Sequence, residues 1–151
     1  MTITAFNDDL ISVLIVDDVR PTRKLLRMLL RELAPFEILE AEDGVSAMDT
    51  ASVRPFDVII CDYNLTDSKG VDVLRHIRSL SHTEDSIFIM ITSDVDYEEL
   101  QDAKQAGVDS YVLKPLNLDS LVDGLSVGFE QHGRDFETAL RLLKRRKPRD
   151  I

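Results

Sequence analysis

The stretch VIICDYN, residues 58–64, runs four apolar residues directly into the carboxylate of Asp62. A short apolar run of this kind is typical of a strand that is buried on both faces, as in the interior of a parallel sheet. The charge at its end has two explanations. Asp commonly begins a turn, or the carboxylate is held at the rim of the sheet to do chemistry. The rest of the chain distinguishes between them.

Other apolar runs in the chain alternate with helical patterns, which indicates a series of βα units around a parallel sheet. Pro21 suits a first helical turn and Gly107 suits a helix C-cap. Five units are too few for an eight-stranded barrel, so we expect an open, doubly wound α/β sheet with helices on both faces. Strands are predicted at 10–16, 37–41, 57–61, 87–92 and 110–113, and helices at 21–33, 45–51, 71–80, 97–107 and 118–129.

Polar residues follow the predicted strands where open α/β sheets bind ligands, at the carboxyl ends. Asp17 and Asp18 end the first strand, Asp62 the third and Thr92 the fourth, and Lys114 follows the fifth. Clustered carboxylates stay ionised only if a cation joins them. A ligand set made only of oxygens favours Mg²⁺. One of the paired aspartates could instead cap the first helix, but capping does not require two.

The remaining rim residues suit a phosphoryl group. A lysine ammonium is a compact charge for a phosphate, and a threonine hydroxyl donates a hydrogen bond. A carboxylate can itself be the nucleophile and form an aspartyl-phosphate. Because phosphoryl transfer is catalysed mainly by positioning and charge neutralisation, Mg²⁺, Lys114 and Thr92 are a sufficient set.

These residues resemble the receiver domain of two-component response regulators. The resemblance covers roughly residues 10–129 and rests on Asp17-Asp18, Asp62-Tyr63-Asn64 with Gly70, Thr92-Ser93 and Lys114-Pro115. It implies the flavodoxin-like strand order 2-1-3-4-5. It also implies a signalling switch with at most slow self-dephosphorylation, rather than an enzyme.

The resemblance assigns a role to each rim residue. Asp62 would accept a phosphoryl group from a sensor histidine kinase or a phosphotransfer protein. Mg²⁺ would be bound directly by Asp18 and mainly through water by Asp17, with Asp62 and the backbone carbonyl of Asn64 as further ligands. Lys114 would pair with the phosphate.

Two further positions match the switch of the family. Thr92 would hydrogen-bond to the phosphoryl group, and Tyr111 matches the aromatic residue that changes rotamer as that threonine moves. Pro115 matches a proline whose peptide bond is often cis. The chain departs from the family after the phosphoacceptor, where Leu65-Thr66 replaces the usual Met-Pro and leaves the loop backbone less restricted.

Rival functions fit less well. A phosphohydrolase of the haloacid dehalogenase type uses Asp-x-Asp, in which the second carboxyl protonates the leaving group, and here Asn64 occupies that position. A nucleotide-binding protein would need glycine in the first loop, and DDVRPTR has none. An interaction module that is not phosphorylated would normally have lost one of the site residues.

Composition and charge limit the classes of partner that this chain can have. The 151 residues suit one domain, and their net charge of −10 divides into 25 acidic and 11 basic residues up to position 133 and 3 against 7 afterwards. So acidic a main domain argues against a nucleic-acid partner. The apolar runs are too short to span a membrane. The first ten residues do not resemble a secretory signal, and Cys61 reads as a small buried hydrophobe, so we expect a cytoplasmic protein.

The end of the chain is predicted to be a separate part, with the receiver domain at 1–132 and a basic helical extension at 133–151. Gly133 should break the fifth helix from a further one at 134–146, ended by Pro148. Phe136, Leu140 and Leu143 make an apolar stripe with Ala139 beside it. A basic block of Lys144, Arg145, Arg146, Lys147 and Arg149 follows.

This tail has two interpretations. It is either a solvated helix end, or the stripe docks on a second copy, as a homodimer, or on another partner. Two interpretations also exist for the output: a stand-alone regulator that binds a target protein through its fourth helix, fifth strand and fifth helix, or the receiver of a longer protein with an effector domain after Ile151.

Overall fold

The computed structural model describes residues 10–94 and 96–145, in which five parallel strands form one sheet in the order β2-β1-β3-β4-β5. This order confirms the doubly wound, flavodoxin-like arrangement. The order reverses between β1 and β3, which places the carboxyl ends of these two strands side by side. The strands are β1 (Ser12–Val16), β2 (Glu37–Ala41), β3 (Val58–Asp62), β4 (Ile87–Thr92) and β5 (Ser110–Leu113).

A helix follows every strand, and a sixth helix follows the fifth helix. The predicted helices are all present, with ends displaced by up to two residues. Gly107 ends the fourth helix in the left-handed conformation, at φ 98°, which glycine adopts without steric cost. The helices are α1 (Arg20–Leu33), α2 (Gly44–Val53), α3 (Gly70–Ser79), α4 (Tyr97–Ala106), α5 (Leu118–Gln131) and α6 (Phe136–Lys144).

The sheet separates two apolar layers. Val13 and Ile15 of β1 face α1 and α5, whereas Leu14 and Val16 face the layer that contains α2, α3 and α4. The free thiol of Cys61 is buried in this second layer, as predicted. Strands buried on both faces read as continuous apolar runs, and this is why the sequence pattern located them. Within the described residues, no helix combines the length and the apolar character that a membrane crossing needs.

The apolar stripe of α6 packs inside the same chain. Phe136 is 2% exposed and Leu143 is 3% exposed, and both join the α1–α5 layer, with Ala139 and Leu140 packed against it. The described part of this stripe is therefore covered by its own chain, not by a second copy, a partner or solvent, and a homodimer through the extension stays a prediction. The physical reason is the reversal at Gly133, with φ 68°, which folds α6 back onto α5. Pro148 and the basic residues Arg146, Lys147 and Arg149 lie outside the described residues.

Candidate functional site

Three carboxylates meet where β1 and β3 end. These strands pair in register, with Val16 opposite Cys61, so the next residues along each strand lie at the same edge of the sheet. Carboxylate oxygens of Asp17, Asp18 and Asp62 lie within 4.8 Å of one another. The structure thus brings together the three predicted carboxylates at the point in the sheet where the strand order reverses.

The side chain of Asp17 is oriented for a cation. It is completely buried, and its Oδ2 is the only buried side-chain oxygen or nitrogen without a hydrogen-bond partner among residues 10–94 and 96–145. Its Oδ1 accepts a hydrogen bond from the Val19 amide at 2.7 Å. Val19 is the N-cap of α1 and has no side-chain cap, so neither aspartate caps this helix. A buried oxygen without a partner is costly, and a bound divalent cation would satisfy it. The donor set therefore fits Mg²⁺.

Lys114 spans two of the carboxylates. Its Nζ lies 3.5 Å from Asp17 Oδ2 and 3.5 Å from Asp62 Oδ2, which is an ion-pair distance rather than a hydrogen-bond distance. Its backbone amide donates to the Thr92 carbonyl at 2.9 Å, which attaches it to the end of β4. The Lys114–Pro115 peptide bond is cis.

The surroundings of Asp62 disfavour the ionised form of its carboxyl group. Burial raises its pKa above the ordinary aspartate value, and the charge of Asp17 raises it further. The ammonium of Lys114 opposes both effects, and Asp18 adds a smaller repulsion. A carboxylate that is desolvated beside another one gains from any added positive charge. The site is therefore arranged to attract a cation.

Asn64, the predicted carbonyl ligand, lies in the loop after β3. Its side-chain Oδ1 accepts a hydrogen bond from Lys69 Nζ at 2.7 Å, and the two residues form an isolated antiparallel bridge. The Gly70 amide donates to the Tyr63 carbonyl at 2.6 Å. A Cβ added to Gly70 would come within 2.5 Å of the Asp62 carbonyl oxygen. The loop thus returns directly against the end of β3.

The two predicted switch residues lie in neighbouring strands. Thr92 ends β4, and its Oγ1 donates to the Asp94 carbonyl at 2.7 Å, so the hydroxyl is engaged by its own loop. The hydroxyl of Tyr111 donates to the Leu100 carbonyl of α4 at 3.0 Å. Burial raises the pKa of Tyr111 to about 12, so this phenol remains a donor at neutral pH. The structure shows a state in which both hydroxyls bond to the α4 side.

A cavity of about 320 Å³ lies beside these two residues, between α4 and the ends of β4 and β5. Its lining includes Tyr63, Met90, Thr92, Leu100 and Tyr111. This space is largely apolar and adjoins the carboxylate cluster through Tyr63, the residue that follows Asp62.

Sequence reasoning missed two contacts that support the site. The guanidinium of Arg23 donates to the Asp17 carbonyl at 2.7 Å and to Glu40 at 3.0 Å, which ties the turn after β1 to β2. Asp67, in the loop after β3, accepts hydrogen bonds from backbone amides of α2. No local pattern signals the Arg23–Glu40 bond or the bonds of Asp67, because these partners lie 17 to 23 residues apart in the chain.

An open parallel sheet with an acidic pocket, a lysine and a threonine at its carboxyl edge defines a receiver-type domain. Residues 13–126 match the family of the response regulator receiver domain. The chain therefore belongs to this family, which is a family of signalling switches.

Known relatives agree with this assignment. The chain is 34% identical over 119 residues to chemotaxis protein CheY-3 of Vibrio cholerae, an alignment that covers 79% of this chain and 92% of the relative. The solved structure of Vibrio cholerae CheY4 is 29% identical, with a TM-score of 0.72, and covers 77% of this chain and 96% of that one.

A third similar structure is the receiver domain of the sensor histidine kinase PA1611 from Pseudomonas aeruginosa PAO1, solved with a magnesium ion coordinated in its active-site cleft. It is 24% identical, with a TM-score of 0.70, and covers 79% of this chain and 98% of that one. At this sequence identity the similarity shows a shared fold and nothing more.

Proposed function

We propose that this chain is a cytoplasmic signalling switch in which Asp62 accepts a phosphoryl group from a sensor histidine kinase or a phosphotransfer protein in a Mg²⁺-dependent reaction. The observation that carries the proposal is the buried Asp17 Oδ2, which accepts no hydrogen bond and lies in a cluster of three carboxylates with Lys114 at ion-pair distance. A structural aspartate has its oxygens satisfied by the protein, whereas a metal-binding one leaves an oxygen for the ion.

Asp17, Asp18, Asp62 and the backbone carbonyl of Asn64 would hold the ion. The magnesium ion in the PA1611 receiver supports this choice of metal. When bound, Mg²⁺ supplies positive charge that offsets the charge of the carboxylates and of the incoming phosphoryl group. The six-oxygen preference of Mg²⁺ leaves places for water alongside the protein ligands.

The side chains of this chain perform the remaining chemistry. An oxygen of Asp62 attacks phosphorus, the bond from phosphorus to the donor breaks, and the donor keeps the electron pair of that bond. Lys114, 3.5 Å from Asp62 Oδ2, would pair with the phosphoryl oxygens as it now pairs with the carboxylates. The hydroxyl of Thr92 would leave the Asp94 carbonyl and donate to the phosphoryl group. No general acid from this chain is required when the other ring nitrogen of a phosphohistidine donor carries a proton, because the donor then leaves as a neutral imidazole.

Movement of Thr92 would then release space for Tyr111. We propose that Tyr111 exchanges its bond to the Leu100 carbonyl for the cavity beside Thr92, which changes the surface formed by α4, β5 and α5. An open groove of about 630 Å³ already lies along these three elements. The exposed side chains of Leu113 and Val127 give this surface an apolar component, which suits a downstream target protein.

We also propose that the receiver domain spans residues 1–132 and that 133–151 is an extension to it. The family match ends at residue 126, before α6 begins. The packing of α6 against α5 supports an extension that completes the domain rather than one that extends away from it.

The proposal is tested by incubating the protein with acetyl phosphate, with and without Mg²⁺, and measuring intact mass. We expect one added phosphoryl group, dependent on Mg²⁺ and labile at high pH, and none in Asp62→Asn. Asp57→Asn is the matched control, because Asp57 is a buried aspartate whose carboxylate bonds to Ser12 instead. Equal labelling of Asp62→Asn and the parent would refute the assignment.

A further inference from the structure

The loop of residues 64–69, between β3 and α3, has no proline to restrict its backbone. It carries Asn64, a proposed Mg²⁺ ligand, and it has Leu65-Thr66 where the family usually has Met-Pro. A loop that holds a metal ligand needs a fixed conformation. The structure shows that contacts with α2 supply this restriction.

Asp67 attaches the loop to the amino end of α2. Its Oδ1 accepts a hydrogen bond from the Gly44 amide at 2.8 Å, and its Oδ2 accepts one from the Val45 amide at 2.9 Å. These bonds lower the pKa of Asp67 below the ordinary aspartate value. Negative charge is stabilised at a helix amino end, where unpaired amides converge.

The cap of α2 is divided between two segments of the chain. The N-cap residue Asp43 accepts a hydrogen bond from the Ser46 amide at 2.8 Å, whereas Asp67 satisfies the two amides that precede Ser46. The helix end is therefore completed only when the loop is in place. The loop and the helix stabilise each other.

The approach of the loop to α2 is unusually close. A Cβ at Gly44 would lie 2.0 Å from Ser68 Oγ and 3.2 Å from Asp67 Oδ1. The absence of a side chain at Gly44 is thus what lets the loop reach the helix amides. Gly44 is itself buried, so its amide depends on Asp67 more than an exposed amide would.

The other end of the loop is attached to the phosphorylation site. The Leu65 amide donates to the Ser68 carbonyl at 3.1 Å, which closes a turn, and Lys69 Nζ donates to Asn64 Oδ1 at 2.7 Å. A displacement of Asp67 from α2 is therefore transmitted through this turn to Asn64. The loop connects α2 to the metal ligands as one unit.

We infer that Asp67 is a positioning residue of the phosphorylation site: by binding the Gly44 and Val45 amides it holds the loop so that the Asn64 carbonyl stays directed at the metal. This inference rests on the proposed function. Two hydrogen bonds to a neighbouring helix thereby hold a loop that has no proline of its own.

The test is an NMR titration of the full chain with MgCl₂. We expect Asp67→Ala to bind Mg²⁺ about tenfold more weakly, the loss usual for a residue that orients a metal ligand. Asp67→Asn should lie between Asp67→Ala and the parent, because its side chain keeps a single acceptor oxygen. With acetyl phosphate, Asp67→Ala should be slow at low Mg²⁺ and recover its rate at saturating Mg²⁺, since Asp67 touches no reacting atom.

Asp135→Ala is the matched control. Asp135 also caps a helix, accepting hydrogen bonds from the Thr138 amide at 3.2 Å and its hydroxyl at 2.6 Å, and its pKa is lowered in the same way. It lies in the turn before α6, away from the carboxylate cluster, so Asp135→Ala should keep the parental Mg²⁺ affinity. The amide signals of Gly44 and Val45 should also shift on addition of Mg²⁺ in the parent and stay unchanged in Asp67→Ala.

Parental affinity in a folded Asp67→Ala, or an equal loss of affinity in Asp135→Ala, would overturn the role of Asp67 and leave the proposed function intact. A parent chain that neither binds Mg²⁺ nor takes up phosphoryl groups would overturn the proposed function itself, and that result appears before any variant is compared.

Discussion

At the scale of single residues, the third strand shows why a buried chain segment can end on a charge. Buried carboxylates stand at both ends of β3. Asp57, just before the strand, accepts hydrogen bonds from the amide and the hydroxyl of Ser12, at 2.8 and 3.2 Å. Asp62, at the other end, faces Asp17 and has only Lys114 to offset its charge. The first carboxylate is held by hydrogen bonds to β1, whereas the second is the one we propose as the phosphoacceptor.

Asp62→Asn should raise the stability of the metal-free protein at neutral pH. The pKa of Asp62 is raised in the folded state, so the folded protein holds this proton more tightly than the unfolded chain does. The resulting cost is absent below the unfolded value of about 3.9, grows as pH rises toward the folded value, and is complete above it. We expect a gain of about 1 kcal/mol at pH 7, within the range of single stabilising substitutions.

Thermal unfolding of both proteins across pH measures this difference. The two melting temperatures should converge in acid and separate as pH rises. Addition of Mg²⁺ should reverse the order at neutral pH, because a ligand stabilises the state that binds it and the parent keeps the full set of carboxylates. A parent that is the more stable of the two without metal at pH 7 would contradict the electrostatic account.

At the scale of elements, α4 and β5 are connected by a bond that a switch would have to break. Tyr111 of β5 donates to the Leu100 carbonyl of α4, and Thr92 of β4 bonds to the loop that leads into α4. These are two single hydrogen bonds, whereas β3 is buried along its whole length and β4 is buried up to Ile91. Movement at this edge of the domain therefore costs less than movement elsewhere in the sheet.

Tyr111→Phe should weaken the resting state of this edge. Loss of one partly buried hydrogen bond should lower the free energy of unfolding by about 1 kcal/mol. Because the resting state loses that bond, less beryllofluoride should be needed with Mg²⁺ to shift the NMR signals of residues 92–125. Tyr97→Phe is the control, because the Tyr97 side chain is 72% exposed, and it should behave as the parent does. An unchanged response of Tyr111→Phe would indicate that this hydroxyl has no part in the switch.

At the scale of the whole molecule, the functional site and the added helix α6 occupy different parts of the domain. The carboxylate cluster lies at the carboxyl edge of the sheet. The turn into α6 lies toward the opposite edge, where the charge of Arg134 acts on Asp57, just before β3. The rings of Phe129 and Phe136 are 5.0 Å apart, and the Arg134 guanidinium lies 4.8 Å from the centre of the Phe129 ring. Helix α6 thus extends the α1–α5 layer away from the site.

Leu143→Ala and Leu142→Ala test whether α6 is part of the domain. Leu143 is 3% exposed and Leu142 is 55% exposed, although they are neighbours of the same type in one helix. Leu143→Ala should cost about 2–3 kcal/mol in the free energy of unfolding, at the lower part of the range for a buried leucine near a chain end. Leu142→Ala should cost less than about 0.5 kcal/mol.

Chemical denaturation measures both values, and sedimentation of the parent measures its mass. Mg²⁺ affinity should be the same in the two variants, because α6 lies away from the carboxylates. Two equally small effects would mean that the helix does not stay packed on α5 in solution.

Sequence patterns alone are enough to predict the architecture and which residues gather at the site. Continuous apolar runs located the strands, and the 3.6-residue pattern in segments such as 21–33 located the helices. The ends of parallel strands necessarily meet at one edge of a sheet, so Asp17, Asp18, Asp62 and Lys114 could be placed together before any coordinate was known. The order of the strands came from the family resemblance, because periodicity carries no information about order.

What covers the apolar face of α6, and what holds the loop of residues 64–69, follows from the packing of the folded chain. The spacing of Phe136, Leu140 and Leu143 shows that one face of the helix is apolar. The same spacing would result if a second copy, a partner protein or the rest of this chain packed against that face. The bonds from Asp67 to α2 join residues 22 and 23 positions apart. Such contacts depend on how completed elements pack, so the physical information that specifies them exists only once the sheet has brought distant segments together.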